Sequence, residues 1–227
     1  MIVFCRDGAL DGPTNMDRDR DLLHAAELGV GGARVYRWDR AWISLGVFQQ
    51  AERDVLPGCE VPTVLRPTGG KAVLHGHDET IGLALPLVWI GADARSIKAA
   101  YRAVIGPIVS AMRGCGVPAA LAEETRFVKA GGRTADCFAH VSPNDVVDER
   151  TGLKVCGCAL KLTQSAVLVQ ASLPNGMPLV DPQRVFARPS MAFAPAWDAT
   201  HLADALEAAL ADMIPASLEV RDVSCPH

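Results

Sequence analysis

The sequence has no long uninterrupted hydrophobic run and no excess of basic residues. Its longest apolar stretch, IGLALPLVWIGA at residues 81–92, is interrupted by Gly82 and Pro86 and is shorter than the roughly 20 residues that span a bilayer. Lys and Arg number 22 against 26 Asp and Glu, a net charge of −4, whereas nucleic-acid backbones are bound by basic surfaces. We therefore expect neither a membrane nor a nucleic acid as a partner.

Paired cysteine motifs are also missing. The seven cysteines are an odd number and form no CxxC pair, so neither a disulfide scaffold nor a structural zinc site is expected. The N-terminal MIVFCRDGAL has no basic leader before an apolar segment, which indicates a cytoplasmic protein. Without repeats or linker-like tracts, residues 1–227 are predicted to form one domain, with no separate accessory C-terminal domain.

Hydrophobic periodicity predicts an α+β domain. Helices are expected at residues 16–28 and 94–115 and around residues 202–213, with Pro107 kinking or dividing the second. The strands ARVYRW and WISLGVF are predicted to pair as a hairpin across DRA, followed by strands KAVLH and TIGLALPL. NDVVD, LKVCGCAL and AVLVQASL are predicted to form a meander. Together these segments predict a mixed, mostly antiparallel sheet flanked by helices.

The segment RPTGGKAVLHGHDET contains two adjacent glycines between positive charges. Gly69 and Gly70 allow the backbone to approach a ligand, and the amides of such a turn can bind an anion, although a plain hairpin turn has the same sequence. Arg66 and Lys71 bracket the glycines. His75 lies close to a second histidine, but no further residue with metal-ligand spacing completes a set. We therefore predict no metal site.

Two further residues are candidates for chemistry. Cys137 lies in the polar loop AGGRTADCFAH, where positive charge from Arg133 or His140 could lower its pKa from about 8.5 and make it a nucleophile; an unreactive thiol is the alternative. Lys154 lies in the strand GLKVCGCAL among apolar neighbours. Such a lysine either reaches solvent or holds a fixed charge in a pocket.

Four segments in this order resemble motifs of the lipoate and octanoate attachment superfamily, which contains lipoate-protein ligases, octanoyltransferases and, more remotely, biotin-protein ligases. NMDRDRDLL is similar to the opening helix of the family, and RVYRWDRAWISLGVFQQ to its Tyr-x-Trp and Ser-Leu-Gly strands. RPTGGKAVLHGHDET resembles the glycine signature and GLKVCGCAL the lysine signature. Four motifs in order are more specific than any one of them. The Gly-Arg-Gly-Arg loop of biotin ligases is missing.

This resemblance implies a biotin/lipoate-protein-ligase-like catalytic domain with a tunnel for an eight-carbon acyl chain. Cys137 would carry the acyl group as a thioester, and Lys154 would bind the acyl carbonyl. The acceptor would be a lysine of a lipoyl-carrier domain, of the glycine cleavage H protein or 2-oxoacid dehydrogenase E2 type, and the donor octanoyl-acyl carrier protein, with no cofactor. The residues expected to bind substrate are Arg66, Gly69, Gly70, Lys71, Ala72, His75, Asn144, Asp145, Gly157 and Ala159.

Two alternatives remain open at this point. An ATP-dependent lipoate-protein ligase would use ATP, Mg²⁺ and lipoate to form a lipoyl-adenylate, with Lys71 near the phosphate, and the Asn144-Asp145 pair is typical of ligases. The order of CFAHVSPNDVVDERTGLKVCG favours the cysteine-dependent transferase. The sequence also departs from the family, with Gln170 and Ala171 where His-Gly is usual and Leu160 in place of a polar residue. These departures allow a retired catalyst that only binds a lipoyl-carrier domain.

Overall fold

The computed structural model describes residues 1–91, 96–127, 134–213 and 220–222, which form two sheets and four α-helices. The strands are β1 Ile2–Leu10, β2 Gly31–Trp38, β3 Trp42–Leu45, β4 Thr63–Leu65, β5 Val73–His75, β6 Asp78–Pro86, β7 Ala119–Leu121, β8 Val146–Asp148, β9 Lys154–Leu162, β10 Ala166–Pro174 and β11 Val220–Asp222. The helices are α1 Gly12–Glu27, α2 Ala51–Asp54, α3 Ile97–Gly114 and α4 Leu202–Met213.

The larger sheet has eight strands in the order β11-β1-β2-β6-β10-β9-β8-β7. Strand β1 pairs in parallel with β2 and β11, and β6, β10, β9 and β8 continue the sheet with antiparallel pairs. The smaller sheet has the order β4-β3-β5. The predicted α+β class with a mixed, mostly antiparallel sheet is therefore confirmed, as is the meander of β8, β9 and β10.

The predicted hairpin between ARVYRW and WISLGVF is wrong. Strand β2 has β1 on one side and β6 on the other, so neither of its edges is free for β3. Strand β3 instead pairs with β4 and β5 in the smaller sheet. The sequence interpretation also missed β1, on which Cys5 is disulfide-bonded, a bond that the cysteine spacing did not predict.

Two helices follow the sequence prediction with corrected details. Helix α1 begins at Gly12, four residues earlier than expected, because the side chain of Asp11 accepts a hydrogen bond from Thr14 N at 2.8 Å and caps the first turn. Pro107 lies inside α3 and does not divide it into two helices. None of the helices among the described residues is both long and apolar enough to cross a membrane.

The helices pack on opposite faces of the larger sheet because its strands alternate in side-chain direction. On one face, α3 and α4 bury a hydrophobic core with side chains such as Leu83 and Leu206. On the other face, α1 packs against Ala84 and Leu168. The site described below lies on the α1 face, between the larger and the smaller sheet.

Residues 66–72, which contain Gly69 and Gly70 and are called the glycine segment below, pack closely against the chain that follows β3, and this contact depends on Gly46. A Cβ added there would overlap the carbonyl oxygen of Gly70, which is backbone and cannot turn away. We therefore expect Gly46→Ala to lower the free energy of unfolding by about 1–3 kcal/mol, as measured by urea denaturation. Gly106→Ala is the matched control, since a Cβ there meets no atom within 4 Å and alanine is favoured in a helix. Equal stabilities of the two variants would contradict this assignment.

Candidate active site

The site is centred on the ammonium group of Lys154, the first residue of β9. Its Nζ lies 2.8 Å from the Asp145 carboxylate and donates a hydrogen bond of 2.8 Å to the Cys137 carbonyl oxygen. The same nitrogen lies 3.4 Å from the Cys137 sulfur. Burial disfavours the ammonium, but attraction to Cys137 and Asp145 outweighs this and raises the pKa of Lys154. The side chain is thus a fixed positive charge beside a thiol.

The loop around Cys137 is held by main-chain and side-chain hydrogen bonds. Cys137 N donates to the Ala72 carbonyl at 2.9 Å, and Ala72 N donates to the Ala135 carbonyl at 2.8 Å, so this loop runs beside the end of the glycine segment. The Asp136 carboxylate accepts hydrogen bonds from Phe138 N at 2.9 Å and from Ser190 N at 2.7 Å. These bonds fix the sulfur relative to the glycine segment.

Gly157 on β9 leaves the space that the sulfur occupies. A Cβ at this position would lie 3.3 Å from Cys137 Sγ and 3.2 Å from Phe138 Cζ. A side chain there would press on the sulfur or on the neighbouring ring. The glycine of the lysine signature therefore has a steric role.

Asp145 fixes Lys154 and is itself fixed. Its second oxygen accepts hydrogen bonds from Ser142 N at 2.6 Å and Ser142 Oγ at 2.9 Å. Asn144, by contrast, has an exposed side chain, and its carbonyl accepts a hydrogen bond from the Tyr101 hydroxyl. Of the Asn-Asp pair, only Asp145 faces the reactive groups.

Arg66 holds the main chain of the glycine segment through hydrogen bonds. Its guanidinium is buried and donates hydrogen bonds of 2.6 Å to the carbonyls of Gly69 and Lys71, and of 2.9 Å to the carbonyl of Ser44. Burial lowers the pKa of Arg66 to about 10, so it stays charged at neutral pH. Gly70 has a φ of +87°, which favours glycine. Arg66 therefore shapes the loop through its carbonyl oxygens.

His75 belongs to a buried polar cluster. Its Nδ1 lies 2.7 Å from Asp78 Oδ2 and its Nε2 lies 2.8 Å from Ser44 Oγ, while the ring stacks on Trp38 at 4.0 Å. Both ring nitrogens thus have protein partners. Among the described residues, no three His, Cys, Asp or Glu side chains are grouped so as to hold a metal ion.

Lys71 and His140 form a second basic group at the site. Lys71 Nζ lies 3.0 Å from His140 Nδ1, and because the ammonium can only donate, that ring nitrogen accepts. Burial lowers the pKa of both groups; for His140 the nearby ammonium of Lys71 adds to this effect. Arg133, the other cation expected near Cys137, lies outside the described residues.

Cys137 and Lys154 each line a cavity. The Cys137 cavity is lined by Arg66, Gly70, His75, Cys137, Gly157 and Ala159 together with residues of α1, β2 and β10. The Lys154 cavity is lined by Lys154, Phe138, Asp136 and several residues between positions 174 and 194. The remaining predicted residues, Gly69, Lys71, Ala72, Asn144 and Asp145, line neither cavity.

Sequence reasoning missed several side chains that form these walls. Tyr36 and Trp38 on β2, and Gln170 and Ser172 on β10, line the Cys137 cavity. Each pair is separated by two positions, and such residues point to the same face of a strand. That alternation could have identified them. Residues 174–194 of the Lys154 cavity, which include Pro178 and Phe193, have no comparable periodicity.

Comparison with known proteins gives a consistent set of relatives. A family model described as the lipoyl protein ligase A/B catalytic domain matches residues 11–212. Octanoyltransferase LipM of Lysinibacillus sphaericus is 31% identical over 177 residues, which are 74% of this chain and 63% of that protein. Octanoyltransferase LipM of an Exiguobacterium species is 34% identical over 149 residues, 62% of this chain and 53% of that protein. The matches thus span between about half and two thirds of the length of these relatives.

Solved structures share the fold at low sequence identity. The putative lipoate protein ligase Ta0514 from T. acidophilum with bound lipoic acid has a TM-score of 0.73 at 17% identity, covering 100% of this chain and 90% of that chain. Lipoate-protein ligase A bound with ATP has a TM-score of 0.69 at 18% identity, with 97% and 89% covered. At these identities the likeness supports the fold alone.

The distance between Lys154 and Cys137 leads to a prediction about thiol reactivity. Lys154→Met should slow alkylation of Cys137 by iodoacetamide at neutral pH at least about tenfold, because a charge about 4 Å away acts with several kcal/mol at an effective dielectric constant of ~20. Peptide mass spectrometry measures the rate at Cys137. Lys161→Met, on the exposed side of the same strand, is the control and should leave the rate unchanged. An unchanged rate in a folded Lys154→Met variant would count against an influence of the Lys154 charge on Cys137.

Proposed function

The chain belongs to the lipoyl protein ligase A/B catalytic domain family, and we propose that it transfers an octanoyl group from a thioester donor to a lysine of a lipoyl-carrier domain through a thioester on Cys137. One observation carries this proposal: the buried Lys154 ammonium lies 3.4 Å from the Cys137 sulfur, and each of these two side chains lines a cavity. The octanoyltransferase names of the relatives support the same reaction. No nucleotide or metal is needed for it.

In the first half-reaction the Cys137 thiolate attacks the carbonyl carbon of the donor thioester. The Lys154 ammonium has three N–H donors; two bond Asp145 and the Cys137 carbonyl, and the third faces the sulfur. As negative charge moves from the sulfur to the carbonyl oxygen of the donor thioester, this third N–H can donate its hydrogen bond to that oxygen. The carbon–sulfur bond of the donor then breaks, the donor leaves as a thiol after gaining a proton, and the octanoyl group remains on Cys137.

In the second half-reaction the lysine amine of the carrier attacks the Cys137 thioester. An amide bond forms, the carbon–sulfur bond to Cys137 breaks, and the amine releases a proton. Lys71 is the proposed acceptor in its neutral form: burial lowers its pKa, and a neutral amine can accept a proton while one of its N–H groups still donates to His140 Nδ1 at 3.0 Å. Cys137 returns to the thiolate beside Lys154.

The Cys137 cavity is the proposed site of the acyl chain. Met16, Tyr36, Trp38 and Val73 give it apolar walls, and burial of a chain there contributes up to about 0.8 kcal/mol per methylene. The polar residue His75 also lines it, but its ring nitrogens are bonded to other side chains. An alkyl chain can therefore occupy the space without breaking those bonds.

An ATP-dependent lipoate-protein ligase is the second candidate. It is favoured by the position of Lys71, whose ammonium lies beside the site and could bind a phosphate, and by a fold shared with an ATP-bound ligase. In that reaction the acyl-adenylate replaces the thioester, and Cys137 has no covalent role. The two candidates therefore differ in their need for ATP and for the thiol.

One experiment separates the candidates. The protein is incubated with a lipoyl-carrier domain and either octanoyl-acyl carrier protein or lipoate with ATP and Mg²⁺, and the mass of the carrier domain is measured. We expect modification with the octanoyl donor in the absence of ATP, an octanoyl adduct on Cys137 when the carrier domain is omitted, and loss of both in Cys137→Ala. Cys59→Ala, a thiol outside both cavities, is the control and should behave as wild type.

The other outcomes are equally informative. Modification that requires ATP and survives Cys137→Ala would favour the ligase. Binding of the carrier domain without modification under either condition would indicate a retired catalyst. When carrier domains of the H-protein type and of the E2 type are tested separately, the domain that is modified identifies the type of carrier.

Because the site has two cavities, a substitution in one of them is expected to change kcat/KM for some acyl donors and not for others. We propose that the arm bearing the donor thiol lies in the Lys154 cavity, whose exposed wall residue Ala192 can be enlarged without entering the core. Ala192→Trp should lower kcat/KM for octanoyl-acyl carrier protein but not for a short octanoyl thioester of N-acetylcysteamine, which lacks most of the arm. Met191→Trp is the neighbouring control, because Met191 is exposed and does not line the cavity. Equal losses with both donors would refute the assignment.

A further inference from the structure

Gln170 occupies a central position in the wall of the Cys137 cavity. It lies in the middle of β10, opposite Gly82 on β6 and Ala159 on β9. Its side chain is buried on the α1 face of the sheet. It is also one of the residues at which the sequence departs from the family motif, where a histidine is usual.

The amide group of Gln170 connects two side chains that differ in hydrogen-bonding character. Nε2 lies 2.6 Å from Asp19 Oδ2, and Oε1 lies 2.6 Å from Thr68 Oγ1. A carboxylate can only accept, so the NH₂ group must face Asp19 and the carbonyl oxygen must face Thr68. Thr68 then has to donate its hydroxyl proton. Glutamine fits because it is a donor at one end and an acceptor at the other, without a charge.

The Asp19 end of this connection is rigid. Asp19 is fully buried and accepts hydrogen bonds of 2.9 Å from Arg34 Nη1 and from the Tyr36 hydroxyl. Arg34 also donates to Asp7 Oδ2 at 2.7 Å. The Asp19–Arg34 pair is therefore tied to α1, β1 and β2.

The Thr68 end leads to the nucleophile. Thr68 is fully buried in the glycine segment, and its carbonyl accepts a hydrogen bond of 3.1 Å from Val47 N. Four residues later, the Ala72 carbonyl accepts the 2.9 Å hydrogen bond from Cys137 N. A shift of Thr68 would therefore be passed along the segment to the main chain of Cys137.

We propose that Gln170 is a positioning residue, which holds the glycine segment, and through Ala72 the Cys137 loop, in register with the buried Asp19–Arg34 pair. Its effect on transfer rests on the proposed function, but its effect on the position of Cys137 does not. Gln170 touches no reacting atom in this proposal. Its amide group donates to Asp19 and accepts from Thr68, and it does both without an ionisable group.

The variant Gln170→Glu tests this directly, because it changes the hydrogen-bonding pattern without changing the shape. A protonated glutamic acid at this position can donate to Asp19 and accept from Thr68 as glutamine does, whereas an ionised one places a second buried carboxylate against Asp19. The folded-state pKa of the introduced carboxyl is therefore raised above its unfolded value. Its contribution to stability and positioning is present at low pH and is lost as the pH rises through the folded pKa.

Other titrating groups near this position could mimic such a profile and are present in wild type as well. The charged or titratable side chains that face residue 170 or line the same cavity are Asp19 on α1, Arg34 and Tyr36 on β2, and Arg66, His75, Cys137 and Cys158 around the cavity. The rate of each variant is therefore divided by the rate of the wild type at the same pH. Gln183→Glu, an exposed glutamine outside both cavities, is the matched control.

Two rates are measured for each variant: the rate of octanoyl transfer to the carrier domain and the rate of alkylation of Cys137 by iodoacetamide. Both are followed between about pH 5.5 and about 9, a range in which most small domains keep their fold. For Gln170→Glu we expect both ratios to approach wild type at low pH and then to fall about tenfold for each pH unit above the pKa of the introduced carboxyl. Gln170→Leu should be slow at every pH, at least about tenfold, since it leaves the Thr68 hydroxyl without its acceptor and removes one of the three donors to Asp19. Gln183→Glu should show a flat ratio.

The remaining outcomes overturn the proposal. Flat, wild-type ratios in folded Gln170→Glu and Gln170→Leu would show that the connection is not needed. Equal, pH-independent losses in both variants, accompanied by equal losses of thermal stability, would indicate a packing role only. If wild type transfers no octanoyl group, the proposed function fails, and the alkylation ratios alone decide the role of Gln170.

Discussion

The site depends on the burial of one ammonium group. Removing the charge of Lys154 from water costs several kcal/mol unless partners compensate it, and the structure supplies Asp145 at 2.8 Å and the Cys137 carbonyl at the same distance. Each partner is itself fixed by hydrogen bonds, Asp145 by Ser142 and the Cys137 loop by Ala72. The positions of the loop, of β9 and of the glycine segment are thus coupled through one charge.

A second set of buried charges supports the opposite side of the Cys137 cavity. Arg34 donates hydrogen bonds to Asp7 and Asp19 on the α1 face, and the Tyr36 hydroxyl also donates to Asp19. Because removal of one partner would leave an uncompensated buried charge, such a cluster fixes where α1 lies on the sheet. The cavity is therefore bounded by two rigid electrostatic clusters, with the apolar walls between them. Gln170 is the polar side chain that connects one of these clusters to the glycine segment.

The sequence predicted the parts of this arrangement that local patterns determine. The apolar runs LKVCGCAL and AVLVQASL beside turn residues predict the strands that carry Lys154 and Gln170. The family resemblance implies that Cys137 and Lys154, 17 positions apart, belong to one site. The partner of β3 was predicted wrongly, because pairing depends on which strand edges β1 and β6 leave free, and this is a tertiary property. The wall formed by residues 174–194 could not be predicted, since prolines and irregular backbone give no period.

The same burial explains how an acyl-enzyme on Cys137 would be made reactive. In the free protein, the third N–H of Lys154 faces the sulfur. In the proposed reaction the charge of the attacking thiolate is gone once the sulfur carries an acyl group, and the ammonium, still buried beside Asp145, has then lost one of its compensating partners. The carbonyl oxygen of the thioester is the nearest group that can replace it, and it does so best when it carries negative charge, as in the tetrahedral intermediate. A buried ammonium that is only partly compensated in the acyl-enzyme would thus favour the attack of the incoming amine.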